Sequence, residues 1–120
     1  IVEKDGKLFL VIGTPGGSTI ITTVFQTILN LIEFNQNIEE AVAAPRFHHQ
    51  WLPDEVFVEK GAVPQQVRER LNQKGYKFVS KSPWGWVDGS WGRVDAILIN
   101  EDGSLSGGAD PRGDDTIEAY

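Results

Sequence analysis

The chain has 120 residues, enough for one modest domain with a hydrophobic core, and its apolar fraction of 40% and aromatic fraction of 10% are typical of a globular protein. A net charge of −6, without a cluster of lysine or arginine, argues against nucleic-acid binding. No stretch approaches the roughly 20 apolar residues of a membrane-spanning helix, and the absence of cysteine excludes disulfides and thiolate metal sites.

The first twelve residues predict a β-hairpin whose turn is Asp5-Gly6. Because the sequence starts inside this hairpin, we expect the chain to be a piece of a larger protein. After a glycine-rich stretch, Ser18 is predicted to cap a long helix. The apolar positions of this helix, which we expect to pack on a sheet, are Ile20, Val24, Ile28, Leu31 and Ile32.

The remainder of the chain alternates short helices and strands. The predicted elements are a helix at 38–44 that Pro45 ends, a strand at 55–59 with Val56 and Val58 on one face and Phe57 on the other, a helix from Pro64 to Gly75, a strand at 76–80, a loop at 83–92, and a hairpin of 94–100 with 104–108. A turn-rich run closes the chain. We therefore predict a mixed α/β fold in a single domain spanning residues 1–120.

The stretch GTPGGST, residues 13–19, stands where the second strand gives way to the first helix. Three glycines and a proline in seven residues are costly to order. One interpretation is a tight turn, which composition alone favours. The other is a binding loop, because successive glycine N–H groups ahead of a helix can point at developing negative charge. The sequence marks no Ser, Thr or Lys as a nucleophile beside a base.

The conventional catalytic and metal-binding side chains form no recognisable set. His48 and His49 are adjacent in an extended segment, so their side chains should point to opposite faces and chelate poorly. We expect structural or surface histidines and no metal site. Asp110, Asp114 and Asp115 cluster near the C-terminus at a spacing that matches no calcium loop, which predicts a solvated turn.

The loop that contains Trp84, Trp86 and Trp91 is rich in glycine. Its aromatic density is typical of a contact with a carbohydrate or a protein. The interpretation that we favour is that these large side chains cover the edge of a core. A non-catalytic binding module that uses the Trp84–Trp91 loop for a glycan or a peptide is the alternative function.

Three segments change this balance when they are taken together. They are GTPGGSTIITTVFQTILN, AVAAPRFHHQWLPDEVFVEKG and GGADPRGDD, in that order. They resemble the hallmarks of the C-terminal part of the small subunit of γ-glutamyltransferases, also called γ-glutamyl transpeptidases or glutathione hydrolases. The resemblance extends over nearly the whole chain, although the Trp-rich loop and the GGAD variant match less clearly.

The resemblance implies part of an N-terminal nucleophile hydrolase, an αββα sandwich whose precursor cuts itself into a large and a small subunit. The new N-terminal threonine of the small subunit attacks a γ-glutamyl amide such as glutathione, and water or an amino acid or peptide acceptor resolves the acyl-enzyme. The glycines that match Gly16 and Gly17 then supply backbone N–H groups to the oxyanion. No cofactor is implied, and the arginine and histidines of APRFHHQW are expected to be structural.

The resemblance also implies that the threonine nucleophile lies upstream of this chain, which should therefore be inactive alone. Its partners would be the rest of the small subunit, the large subunit and a γ-glutamyl small molecule. Export to the periplasm, the exterior or the cell surface follows family habit only. A half-sandwich by itself exposes apolar surface and a sheet edge, which predicts self-association.

Overall fold

The computed structural model describes residues 1–80 and 91–118 of the chain. Within these ranges the elements are β1 (Val2–Lys4), β2 (Lys7–Gly13), α1 (Thr19–Ile32), α2 (Ile38–Ala43), β3 (Phe47–His48), β4 (Val56–Val58), α3 (Gln65–Asn72), β5 (Phe78–Val79), β6 (Asp95–Ile99) and β7 (Leu105–Ala109). The predicted mixed α/β class is confirmed.

The main sheet contains four antiparallel strands in the order β1-β2-β6-β7. The predicted β1–β2 hairpin is confirmed, and its turn residues Asp5 and Gly6 have φ values of 53° and 73°. Positive φ at both central residues is the geometry that favours Asp-Gly in a two-residue hairpin turn. Strand β2 pairs with β6, so that Gly13, where the glycine-rich stretch begins, lies opposite Asp95.

A second, three-stranded sheet has the order β3-β4-β5. Strand β4 is shorter than the predicted strand at 55–59, and all three of its residues are buried, so both faces are covered. It pairs in parallel with β5, and α3 makes the crossover between them. The sequence did not predict β3, which is only two residues long.

The core lies between the main sheet and the two helices α1 and α2. Strands β2 and β6 contribute Leu10 and Ala96, while α2 contributes Ile38 and Val42. At Gly108 in β7, an added Cβ would lie 2.9 Å from the backbone oxygen of Ile38. The missing side chain therefore lets α2 pack directly on the backbone of the strand.

Helix α2 begins with a capping box that the sequence analysis did not single out. The Asn37 side chain accepts a hydrogen bond from the Glu40 N–H at 2.8 Å, and the Glu40 carboxylate accepts one from the Asn37 N–H at 3.1 Å. The helix ends at Ala43, just before Pro45, as predicted.

The buried face of α1 differs from the prediction. Its buried residues are Thr19, Thr23, Thr27 and Leu31, whereas Ile20 and Ile32 are exposed. The threonine hydroxyls can be buried because each is hydrogen-bonded; Thr27, for example, donates to the Thr23 carbonyl at 3.0 Å. Of the predicted apolar positions, Leu31 is buried in the core and Ile28 packs against it, so the prediction is wrong for Ile20 and Ile32, and threonines take most of the inner side.

Candidate functional site

The glycine loop, residues 13–18, connects β2 to α1. Gly16 has a φ of +138° and Gly17 a φ of +58°, both in the region that L side chains rarely adopt. The loop therefore needs glycine at these two positions for its conformation. Ser18 does not cap α1 as predicted, because its own backbone is helical and its side chain makes no capping hydrogen bond.

The carbonyl groups of the two glycines fix the direction of the neighbouring N–H groups. The Gly16 oxygen accepts hydrogen bonds from the Thr19 N–H at 3.1 Å and the Thr19 hydroxyl at 2.8 Å. In a trans peptide the C=O and the following N–H point in opposite directions. The Gly17 N–H thus points away from α1, and among the described residues neither glycine N–H donates a hydrogen bond.

Behind this loop lies the backbone of Gly92, which has a φ of +76°. A Cβ added at Gly16 would lie 3.1 Å from the Gly92 Cα, and a Cβ added at Gly92 would lie 2.8 Å from the Pro15 oxygen. The two glycines therefore allow two backbones to touch. Sequence reasoning missed Gly92, whose sole signal was its place at the end of the Trp-rich loop.

The segment that carries Gly92 is held by Arg46, which is 2% exposed. Arg46 Nη1 donates to the carbonyl oxygens of Trp91 at 3.1 Å and Gly92 at 3.2 Å. The Thr23 hydroxyl also donates to the Trp91 oxygen, at 3.0 Å. The expectation that Arg46 is structural agrees with these contacts, which place it behind the glycine loop.

Arg46 belongs to an ion cluster together with Glu59, Asp110 and Arg112. Arg46 Nη2 donates to Asp110 Oδ2 at 2.6 Å, Arg112 Nη1 donates to Asp110 Oδ1 at 3.0 Å, and Arg112 Nε donates to Glu59 Oε1 at 2.7 Å. The prediction of a solvated turn is wrong for Asp110, whose side chain is fully buried. Its carboxylate can be buried because two cations and two backbone N–H groups, those of Val94 and Arg112, satisfy it.

These contacts shift the ionisation of the cluster. Burial raises the pKa of Asp110, but the N–H groups of Val94 and Arg112 and the Arg46 guanidinium outweigh it, so that the pKa lies below its ordinary value. Burial lowers the pKa of Arg46, with the nearby Arg112 charge adding to this effect. Arg46 nevertheless keeps its proton at neutral pH, because the ordinary pKa of an arginine lies far above neutrality. The cluster holds two positive and two negative charges.

On the other side of the glycine loop lies the segment that follows β3. The Ser18 hydroxyl donates to Gln50 Oε1 at 2.5 Å, and His48 Nε2 lies 3.0 Å from the same oxygen. His48 is buried, its Nδ1 lies 2.8 Å from the Thr22 hydroxyl, and its ring stacks on Phe57. His49 instead lies 3.2 Å from the Asp54 carboxylate, so the two histidines contact different partners as their spacing predicted.

Comparison with known proteins places this geometry in a family. The sequence profile of the gamma-glutamyltranspeptidase family matches residues 1–120. The chain belongs to this family. A curated glutathione hydrolase proenzyme of Escherichia coli K12 is 48% identical over 119 residues, which make up 99% of this chain and 19% of that protein.

Two further relatives extend the comparison. The structure of a mutant gamma-glutamyltranspeptidase of Helicobacter pylori matches with a TM-score of 0.81 at 48% identity, over 94% of this chain and 59% of that one. An acylase proenzyme, ACY 1, of Pseudomonas sp. strain V22 is 36% identical over 94% of this chain and 19% of its own length. The chain thus spans about a fifth of the length of these two curated relatives.

Two of the three segments that carry the family resemblance contact each other in the structure. The APR and DPR segments lie far apart in the sequence, yet Arg46 and Asp110 are ion-paired, and Arg46 in turn holds the backbone behind the glycine loop. The resemblance to gamma-glutamyltranspeptidases is therefore carried by residues that pack as one unit. The mixed α/β fold matches that of solved members of the family, which are N-terminal nucleophile hydrolases.

The remaining candidate residues lie elsewhere. Trp84 and Trp86 fall outside the described residues, and Trp91 is buried at 9% exposure, as the packing interpretation predicted. The Asp114 side chain is 99% exposed, as the solvated-turn prediction required. Burial raises the pKa of Asp95, and the Asp115 carboxylate adds to this effect.

Within residues 1–80 and 91–118, no three His, Cys, Asp or Glu side chains come together in a way that could hold a metal ion. None of the helices in this part of the chain has the length and apolar character needed to cross a bilayer.

Proposed function

We propose that Gly16 and Gly17 supply backbone N–H groups that stabilise the oxyanion formed when a γ-glutamyl amide is cleaved. In this proposal the chain is the C-terminal portion of a small subunit. It acts with the rest of that subunit and with the large subunit, and an N-terminal threonine that is not in this chain is the nucleophile. The acyl-enzyme passes its γ-glutamyl group to water or to an amino acid or peptide.

The orientation of the Gly17 N–H is the observation that carries the proposal. Its peptide is locked by the two hydrogen bonds that Thr19 makes to the Gly16 oxygen, and the N–H points away from α1 without a partner among the described residues. A donor that is fixed before the reaction costs no reorganisation when charge develops, and one such donor is worth about 2.7–4 kcal/mol of activation free energy.

The test removes this one donor and keeps the φ of Gly17 accessible, at the cost of a somewhat weaker acceptor at the Gly16 carbonyl. In the complete enzyme, the Gly17 N–H is replaced by an ester oxygen through protein semisynthesis. Proline would not serve here, since its φ near −65° is incompatible with the +58° of Gly17. We expect kcat for a chromogenic γ-glutamyl amide to fall by about 10²–10³-fold with little change in KM.

The matched control is the same amide-to-ester replacement at Gly103. Its N–H donates to the Asn100 oxygen at 2.9 Å in the turn between β6 and β7, and its φ of +85° is also positive. This variant should keep its kcat. An unchanged kcat for the Gly17 ester would overturn the oxyanion role.

The isolated chain should not turn over the same substrate, because in this proposal the threonine nucleophile lies outside it. Measurable release of the chromophore by the purified 120-residue chain would contradict the proposed division of the active site. Adding the missing portions of the enzyme as separate polypeptides should restore activity if they assemble.

The substrate class has a second candidate, since an acylase is among the relatives. A glutaryl amide is the γ-glutamyl amide without its α-amino group, so the pair distinguishes the two classes. A γ-glutamyltransferase should prefer the γ-glutamyl amide by a wide margin in kcat/KM. A preference for the glutaryl compound would favour the acylase.

Exposed apolar surface supports the proposal that other parts of the enzyme cover this chain. Val11 and Ile97 pair on the face of the main sheet that points away from α2, and they are 40% and 46% exposed. On α1, Ile21 and Phe25 are 79% and 57% exposed. The isolated chain should therefore self-associate, and a sedimentation coefficient that stays monomeric across a wide concentration range would contradict this.

A further inference from the structure

We infer that Gln50 is a positioning residue for the oxyanion donors, and that it acts by holding Ser18, the residue next to Gly17. This inference rests on the proposed function of the glycine loop. It assigns a role to the HHQW part of the sequence that is distinct from the ion cluster on the other side of the loop.

The Ser18 hydroxyl stands at the position from which a serine usually caps a helix, but it is used differently here. It makes no capping hydrogen bond to α1 and donates to Gln50 Oε1 at 2.5 Å, across 32 positions of sequence. The serine thus connects the glycine loop to the segment after β3. It fixes the loop at its Gly17 side, while the contact with Gly92 fixes it at its Gly16 side.

The orientation of the Gln50 amide follows from its other contacts. Its Nε2 donates to the Leu52 oxygen at 2.9 Å, which leaves Oε1 facing Ser18 and His48. An amide oxygen can only accept, so His48 Nε2 must carry a hydrogen and donate to it. Gln50 Oε1 therefore receives two hydrogen bonds, one from the loop and one from a buried ring.

The ring of His48, which donates to Gln50, is itself held in place by several contacts. It is 2% exposed, stacks on Phe57 of β4, and meets the Thr22 hydroxyl of α1 at 2.8 Å. The row of side chains from Ser18 through Gln50 and His48 to Thr22 begins at the end of the glycine loop and ends on α1. Because His48 and Phe57 belong to the second sheet, the second sheet sets where the glycine loop sits.

The experiment compares Ser18→Ala, Ser18→Thr and Gln50→Leu in the complete enzyme. Ser18→Ala removes one neutral hydrogen bond and should lower kcat by about tenfold, whereas Ser18→Thr keeps the hydroxyl and should keep most of kcat. Gln50→Leu also removes the contacts with His48 and Leu52 and should lower kcat at least as much. The double variant Ser18→Ala, Gln50→Leu should be no slower than Gln50→Leu, because the Ser18 contact is already lost there.

Inhibitor binding separates positioning from general damage. A γ-boronic acid analogue of glutamate becomes tetrahedral and anionic in the site, whereas glutamine, with its neutral γ-amide, resembles the ground state. Both substitutions should weaken boronate binding by about the factor lost in kcat and leave the KM for glutamine nearly unchanged, since the donors act on the anionic tetrahedral state. Ser104→Ala is the matched control, because that hydroxyl donates to Asp102 in the distant β6–β7 turn.

The outcomes distinguish this inference from the function on which it rests. If the Gly17 ester lowers kcat but Ser18→Ala and Gln50→Leu do not, the positioning role is wrong and the oxyanion role stands. If the two single variants lose kcat and their effects multiply in the double variant, they act independently and the inference fails. If the Gly17 ester itself has no effect on kcat, the proposed oxyanion role is wrong, and the inference about Gln50 is wrong with it.

Discussion

The glycine loop and the ion cluster differ in how completely their polar groups are paired. In the cluster, both oxygens of Asp110 accept two hydrogen bonds each, from two arginines and two backbone N–H groups. In the glycine loop, the N–H groups of Gly16 and Gly17 have no hydrogen-bond acceptor among the described residues, although the carbonyl of Gly16 has two donors.

The difference fits two roles: the ion cluster stabilises the fold, and the glycine loop is the region that we propose to bind a reacting group. A buried charge must be fully paired, because an unpaired one costs several kcal/mol. A donor that is to meet a reacting group must instead be left open and held still. The cluster holds the backbone of Gly92, and Gly92 touches the loop, so the saturated region stiffens the unsaturated one. Substitutions in the two regions should therefore have different signatures.

The largest expected effect is that of Asp110→Ala. Removing this carboxylate leaves the buried Arg46 without its anionic partner, and breaking such a pair costs about 3–5 kcal/mol of unfolding free energy. Urea denaturation of the protein measures this loss. The exposed Asp114→Ala serves as its control and should stay within experimental error of the parent. A loss below 1 kcal/mol for Asp110→Ala would show that the cluster does not stabilise the fold.

Gly92→Ala should lower both the free energy of unfolding and the kcat of the complete enzyme. Its Cβ would lie 2.8 Å from the Pro15 oxygen, and its φ of +76° strains any L side chain, which costs about 1–3 kcal/mol. Because the clash falls on the glycine loop, kcat of the complete enzyme should fall as well. Gly61→Ala, whose Cβ would meet only Pro45 at 3.9 Å and whose φ is +89°, carries similar strain and should keep kcat. Equal kcat values for the two variants would contradict the inference that Gly92 supports the glycine loop.

The adjacent glycines of β7, Gly107 and Gly108, should differ in how much stability their replacement by alanine costs. A Cβ at Gly108 would lie 2.9 Å from the Ile38 backbone oxygen of α2, and we expect Gly108→Ala to cost about 1–3 kcal/mol. A Cβ at Gly107 would meet only side-chain atoms among the described residues, those of the half-exposed Ile117, and no backbone atom. Gly107→Ala should therefore cost less than Gly108→Ala in urea denaturation, and the reverse order would contradict the packing of α2 on β7.

The smallest expected effect is that of pH. The folded pKa of Asp110 lies below its ordinary value of about 3.9, so its contribution to stability is complete above that pH and is lost as the pH falls toward the folded value. Unfolding free energies at pH 7 and 5 should therefore agree as far as this group is concerned, and fall below pH 4. Asp110→Asn should show a shallower decline in acid; an identical decline would assign the acid sensitivity to other groups.

Elements with local signals were predictable from the sequence, and contacts between distant residues were not. The Asp5-Gly6 turn and the end of α2 before Pro45 follow from backbone preferences of single residues. The buried face of α1 was predicted only in part, because hydroxyls such as that of Thr23 find acceptors that no apolar pattern reveals. Leu31 is buried as predicted, but apolar residues such as Ile20 lie on the exposed side, so apolar character alone does not distinguish the two sides of this helix.

The candidate site was predictable in part, for the same reason. The glycine loop was visible as a run of residues with special conformations. Its two supports were invisible, because Arg46 reaches Asp110 across 64 positions and Ser18 reaches Gln50 across 32. Sequence alone offered Asp110 as a surface residue, since carboxylates in turn-rich runs usually are solvated.

The 64-position span between Arg46 and Asp110 also sets an order of events in time. During synthesis the glycine loop is made well before Asp110, whose carboxylate allows Arg46 to be buried. Until then Arg46 must remain hydrated, and the backbone around Gly92 has no fixed place behind the loop. The glycine loop that is made early in synthesis therefore gains its contact with Gly92 late, once the DPR segment has emerged and folded back.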